Sequence, residues 1–286
     1  MSTYIRNMAW ASEKTLWEDA LKKAPNSTRA HHNLAWAHYE RIKNYDKAME
    51  LYKKSLTLQK HNVTGKPWAF NNIANLYFIQ KDYKNAARIW DDTFRMTKGF
   101  DLVRYRLALV TAKNGEIENA LNLINPLIEK QPNNLKALNL KGLLLLRQEK
   151  PENAISFFRK CLKIKRNEKT ALLNTGIACY FLKDYERAEY FLESALEFKK
   201  NDFLTILWLI ETNLETGDKE NADKYIDTLL DITNINNLVI TMNEVFQKHF
   251  LPPVPGHDTI MAVSNKLSEI SKDIKELQNF NRTAQQ

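Results

Sequence analysis

Residues 135–167 read LKALNLKGLLLLRQEKPENAISFFRKCLKIKRN, and the placing of small and large side chains in that stretch decides the fold. Gly142, Ala154 and Cys161 stand where two helices joined by a short turn would cross so closely that a large side chain would push them apart. Leu138 and Leu145 from the first helix and Phe158 from the second fill the wider gaps. Ala154 is also one of five alanines, Ala86, Ala120, Ala154, Ala188 and Ala222, set 34 residues apart. That period belongs to a stacked helix–turn–helix repeat, which presents a long surface, and not to a compact enzyme domain.

The pattern extends outward in both directions. The following unit repeats it with Leu172, Gly176, Ala188, Leu192 and Ala195, and the preceding one with Leu107, Ala108, Gly115, Ala120 and Pro132. There the glycine suits a tight turn and the proline stops the second helix. Before that come Ile73, Ala74, Tyr77, Ala86 and Trp90; at the far end Leu209, Gly217 and Ala222 persist, but Ile210 replaces a small residue, so wider helix spacing is expected there. The first unit, RAHHNLAWAHYERIKNYDKAMELYKKSLTL, fits with one residue inserted in its turn, and the longer loop HNVTGKP follows it. LWEDALKKAPNS ahead of it reads as a second helix without its first. The expected organisation is an N-terminal half-repeat at 1–27, six repeats over 28–233, and a C-terminal region at 234–286 made of a capping helix, a Pro-rich linker and an amphipathic helix. In that last helix Ile260, Val263, Leu267, Ile270, Ile274 and Leu277 alternate spacings of three and four, a heptad seam.

Composition agrees with a helical array: 7 glycines and 8 prolines in 286 residues are too few for a turn-rich β fold. The net charge of +8 is uneven, with 12 Lys and Arg against 6 Asp and Glu in residues 1–66 and 7 against 13 in residues 201–286. The basic residues fall mostly on outer helix positions and form no continuous stripe with interleaved aromatics, which disfavours nucleic acid as a partner. The longest apolar run, Phe203 to Ile210 broken by Thr205, is far short of the roughly 20 residues needed to cross a bilayer. The start MSTYIRNMAW lacks the apolar run of a secretory signal. Cys161 and Cys179 occupy core positions on helices expected to pack together, so an oxidising compartment could join them.

Residues 135–167 closely resemble the tetratricopeptide (TPR) repeat, Gly142, Ala154 and Cys161 falling at its positions 8, 20 and 27. The resemblance implies an all-α, right-handed superhelix, an α-solenoid, here with the amphipathic helix at its C-terminus. It also implies protein or peptide binding in a concave groove lined by the first helices. The residues expected to touch a partner are His32, Trp36, Asn71, Asn72, Asn75, Tyr105, Arg106, Asn139 and Asn174. Asparagine amides both donate and accept, which suits them to an extended peptide backbone. Chaperone-binding members of the family grip a terminal carboxylate with Lys, Asn, Asn, Lys and Arg. Here the matching places hold His32, Trp36, Asn72, Leu102 and Arg106, and losing both lysines disfavours that role. The groove becomes apolar from Leu143 to Leu207, and the C-terminal helix is expected to dock either there or on a second copy.

His31, His32 and His38 share one expected helix without a third fixed ligand for His31 and His38, so no metal is expected. No phosphate-cradling glycine loop or nucleophile elbow is present, so neither a cofactor nor catalysis is expected. The opening stretch is similar to the segment after the last membrane helix in membrane-bound glycosyltransferase-like proteins with C-terminal TPR repeats, through Arg6, Asn7, Trp10, Leu16, Trp17, Asp19, Pro25, Arg29, Asn33 and Leu34. That similarity transfers no active site. It implies the extracytoplasmic module of a membrane-anchored parent; the alternative is a free-standing cytoplasmic adaptor for complex assembly.

Overall fold

The computed structural model describes residues 12–58, 66–97, 100–232 and 262–263. Among them are thirteen α-helices and no strand. In chain order these are α1 Glu13–Lys23, α2 Thr28–Ala37, α3 Tyr45–Leu58, α4 Lys66–Ile79, α5 Tyr83–Met96, α6 Asp101–Lys113, α7 Ile117–Lys130, α8 Leu135–Arg147, α9 Pro151–Ile164, α10 Lys169–Phe181, α11 Tyr185–Phe198, α12 Phe203–Thr216 and α13 Lys219–Ile232. The chain divides into two compact units, Met1–Asn114 and Gly115–Gln286. The division falls in the turn of the third repeat. No helix among the described residues is long and apolar enough to cross a membrane.

Each helix pair is closed by one kind of turn. Lys81, Gly115, Glu149, Lys183 and Gly217, again 34 residues apart, all have left-handed backbone, with φ of 61°, 87°, 57°, 58° and 77°. In four of these turns the next amide reaches back five residues, Asp82 to Tyr77, Lys150 to Leu145, Asp184 to Cys179 and Asp218 to Asn213, at 2.9–3.0 Å. This Schellman arrangement satisfies carbonyls that the helix end would leave bare. Asp82, Asp184 and Asp218 then serve a second purpose, each accepting from a backbone N–H in the first turn of the next helix. One residue thus ends one helix and begins another, which keeps the connection short.

The helices cross where the small residues allow it. Four of the periodic alanines are fully buried and Ala222 is nearly so. A methyl group on Gly142 would run into the Phe158 ring, with Cζ only 2.6 Å away, and one on Gly176 would meet Leu192 Cγ at 2.7 Å. The glycines therefore make room for the large residue of the partner helix in the same repeat. Ile210, expected to hold the sixth pair apart, is fully buried in the main cluster of the second unit.

The first repeat differs from its expected form. Its extra residue is absorbed within the first helix, not in the turn: His38–Ile42 continue α2 as a π-helical turn, which ends at Lys43 with φ 59°. A π turn takes in an additional residue while continuing the helical hydrogen bonding. The half-repeat α1 starts with a reciprocal cap between Ser12 and Thr15 and rests Trp17 and Leu21 on the cluster around Leu34, Leu51 and Tyr52. Cys161 and Cys179 are free and lie in separate clusters, the first with Leu138 and Ala171. Burial pushes the Cys161 thiol up to about 11, so it is protonated at neutral pH.

The expectations for the capping helix and for most of the heptad seam fall outside the described residues. Ala262 and Val263 are described: both are helical, and Val263 is buried in the same cluster as Leu173, Ile177 and Leu207.

Candidate functional site

In the first unit the faces of α4 separate two kinds of surface. Phe70, Ile73 and Tyr77, spaced i, i+3 and i+7, share one stripe, and Asn71, Asn75 and Phe78 share another. The second stripe belongs to the face that the first helices of successive pairs build together. Trp36 on α2 stands 38% exposed on it, and beside it His32 meets the Tyr52 ring edge-on at 5.2 Å. Asn72, Asn75, Tyr105 and Arg106 are half-buried.

Arg106 is the most informative of these. Its Nε is buried without a hydrogen-bond partner, and among the described residues no carboxylate pairs with the guanidinium. Its charge is felt by Tyr39 and Tyr105: burial pushes both phenols up, and Arg106 pulls each back. A half-desolvated cation without an anion is costly unless something supplies one.

Three asparagines expected to contact a partner sit differently. Asn71 is 3% exposed, and its Oδ1 accepts from the Trp90 indole N–H at 3.1 Å. Its amide therefore ties α4 to α5. Asn139 and Asn174, in the second unit, are also buried; Asn139 Oδ1 and both polar side-chain atoms of Asn174 make no hydrogen bond. The sequence pattern placed them on the right helices. The apolar lining from Leu143 to Leu207 points to a cover on this face, but the burial of Asn139 and Asn174 has no sign in the pattern.

The contrast between the units is systematic. At the fifth and ninth repeat positions the first unit has His32, Trp36, Asn71, Asn75, Tyr105 and Leu109, of which only Asn71 is buried. In the second unit the same positions hold Asn139, Leu143, Leu173, Ile177, Leu207 and Glu211, and all six are buried. Glu211, which as an acidic residue breaks the apolar trend, stands 34 residues after Ile177 and so at the same repeat position. It accepts from the Tyr180 hydroxyl at 3.0 Å, and Glu215 accepts from Tyr185 at 3.3 Å. Burial first, and then the Glu211 carboxylate, push the Tyr180 phenol up.

A cavity of about 630 Å³ opens in the first unit on the other stripe of α4. Leu56, Phe70, Ile73, Tyr77, Ile89 and Met96 line it, with Lys53, Arg88, Asp92 and Arg95 around them. It includes none of the expected contact residues. Nothing in the sequence pattern pointed to it, because Ile73 and Tyr77 stand at ordinary packing positions of the repeat. Among the described residues no three His, Cys, Asp or Glu side chains are grouped to hold a metal ion. His31 Nδ1 is instead 3.0 Å from the Ser27 carbonyl.

The model of the tetratricopeptide repeat matches residues 13–62, and that of anaphase-promoting complex, cyclosome, subunit 3 matches residues 113–195. No curated protein matches the chain. Among solved structures, the APC/C hetero-tetramer Cut9-Hcn1 is similar with a TM-score of 0.68 at 17% identity, over 81% of this chain and 45% of that one. A tetratricopeptide repeat protein from Parabacteroides merdae gives 0.61 at 17% identity, over 80% and 85%. YrrB, described as a TPR protein with an unusual peptide-binding site, gives 0.50 at 19% identity, over 66% and 95%. Identities this low show a shared fold only.

Proposed function

Because this is a tetratricopeptide-repeat chain, a protein-interaction scaffold in kind, we propose that it recognises a protein segment on the first-helix face of unit Met1–Asn114. An extended, acidic peptide lies against His32, Trp36, Asn72, Asn75 and Tyr105, and Arg106 takes one of its carboxylates. The observation that carries this reading is the half-buried Arg106 guanidinium, whose Nε makes no hydrogen bond and which pairs with no carboxylate among the described residues. A charge-assisted bond there would be about twice as strong as a neutral one. A peptide as the kind of partner is supported by the likeness in fold to YrrB, described as a TPR protein with an unusual peptide-binding site.

The experiment is fluorescence anisotropy of labelled decapeptides, one set rich in Asp and Glu and one rich in Lys and Arg, against the full chain and its Arg106→Ala and Asn75→Ala variants. The acidic set binds the parent more tightly, and Arg106→Ala weakens it by about 1.5–3 kcal/mol. Equal binding of the two sets, or no loss in Arg106→Ala with helicity intact, removes the reading.

We propose further that the chain has no catalytic activity of its own and that its partner is a protein and not a nucleic acid. A membrane-bound glycosyltransferase-like parent, with this region on the extracytoplasmic side, is favoured by the opening stretch from Arg6 to Leu34 alone. The family and structure matches concern the repeats and add nothing to that context.

A further inference from the structure

We infer that the first-helix face of unit Gly115–Gln286 is a helix-binding groove held closed by the chain's own C-terminal segment, 259–280. Three observations meet there. All six residues at the fifth and ninth repeat positions of this unit are buried, although the surface is that of a single chain. The helix α12 is buried on every side from Thr205 to Asn213, where a helix bordering a free groove keeps one face open. Val263, the second residue of the heptad seam, is 0% exposed within the cluster that holds Leu143, Leu173, Ile177 and Leu207.

The occupant follows from the pattern around Val263. In the sequence Ile260, Leu267, Ile270, Ile274 and Leu277 stand at spacings of three and four around Val263, the pattern of one face of an amphipathic helix. A groove in which four of those six positions are leucine or isoleucine takes an amphipathic helix by such anchors, whereas an extended peptide asks for polar partners all along its backbone. The two faces of this chain are therefore different in kind. The second is regulated by a tethered competitor, and an outside helix of the same pattern has to displace it.

The test uses the full chain, its Val263→Asp and Val263→Thr variants, and a fluorescein-labelled synthetic peptide of residues 259–280 as the probe. A tethered competitor acts at an effective concentration of about millimolar, so the parent binds the probe at least tenfold more weakly than Val263→Asp. Amides of α10 and α12 exchange faster in Val263→Asp, while Cys161 and Cys179 stay unreactive to a thiol reagent, which marks the repeats as folded. Should Val263→Asp unfold, Val263→Thr decides, with a smaller change in the same direction. Equal probe affinity and unchanged exchange in the folded variant overturn the proposal. So does a parent that is dimeric by light scattering and becomes monomeric in the variant, since the occupant would then be the tail of a second copy.

Discussion

Glu149 and Lys183 hold the same left-handed backbone as Gly115 and Gly217, but carry a Cβ that this conformation crowds. Left-handed backbone costs a side-chain-bearing residue about 1–2 kcal/mol, and glycine gives back roughly 0.5–1 in entropy of the unfolded chain. Glu149→Gly and Lys183→Gly are each expected to stabilise the fold by about 0.5–1 kcal/mol, read as a rise in Tm. Gly217→Ala is expected to lower it, for backbone reasons alone, because a methyl group there meets nothing within 4 Å. Gly142→Ala fails differently, by collision with the Phe158 ring, and is expected to cost about 1–3 kcal/mol. Phe158→Leu in the same chain should recover part of that loss, measured as a coupling in a double-mutant cycle. The sequence made Gly115 and Gly217 legible as turn residues. It hid Lys81, Glu149 and Lys183, because their conformation is imposed by the fixed length of the repeat against their own preference.

At the level of the helix, Asp202 organises the start of α12. Its Oδ2 accepts from the Thr205 backbone N–H and hydroxyl, and its Oδ1 pairs with Lys169 of α10 at 2.5 Å and with Lys199 at 3.3 Å. Burial works against the carboxylate, but the bonds from Lys169 and Thr205 outweigh it and hold its pKa below the usual 3.8. A pKa lowered on folding stabilises fully above the unfolded value, and the benefit is lost as pH falls through the folded one. Asp202→Asn is therefore expected to flatten the acid limb of a stability–pH curve below about pH 4. Asp202→Ala is expected to cost about 0.5–2 kcal/mol at pH 7, by chemical denaturation. The helix pairs themselves were readable from the 34-residue spacing of Ala86 through Ala222. The π-helical turn His38–Ile42 was not, since one extra residue in a sequence can lodge in a turn or in a helix.

Across the whole molecule, the sequence located the first helices, and on those of the first unit Trp36, Asn75 and Arg106 are at least partly exposed. The apolar lining from Leu143 to Leu207 points to a cover in the second unit, but the pattern does not show that Asn139 and Asn174 are buried with it, because they occupy the same repeat positions as Tyr105 and Arg106, which are half-buried in the first unit. Nor could it reveal that Asn71 is taken by Trp90, a contact 19 residues away in the chain. The scaffold reading turns on where a partner is held. The most direct measurement is quantitative affinity capture from extract of the source cells with the full chain, Arg106→Glu, and Lys54→Glu as a control on an exposed face of α3. The account predicts a protein partner retained by the parent and by Lys54→Glu and lost at least tenfold in Arg106→Glu, given about 1.4 kcal/mol for each factor of ten. Recovery of the same partner by all three baits in equal amounts would contradict it.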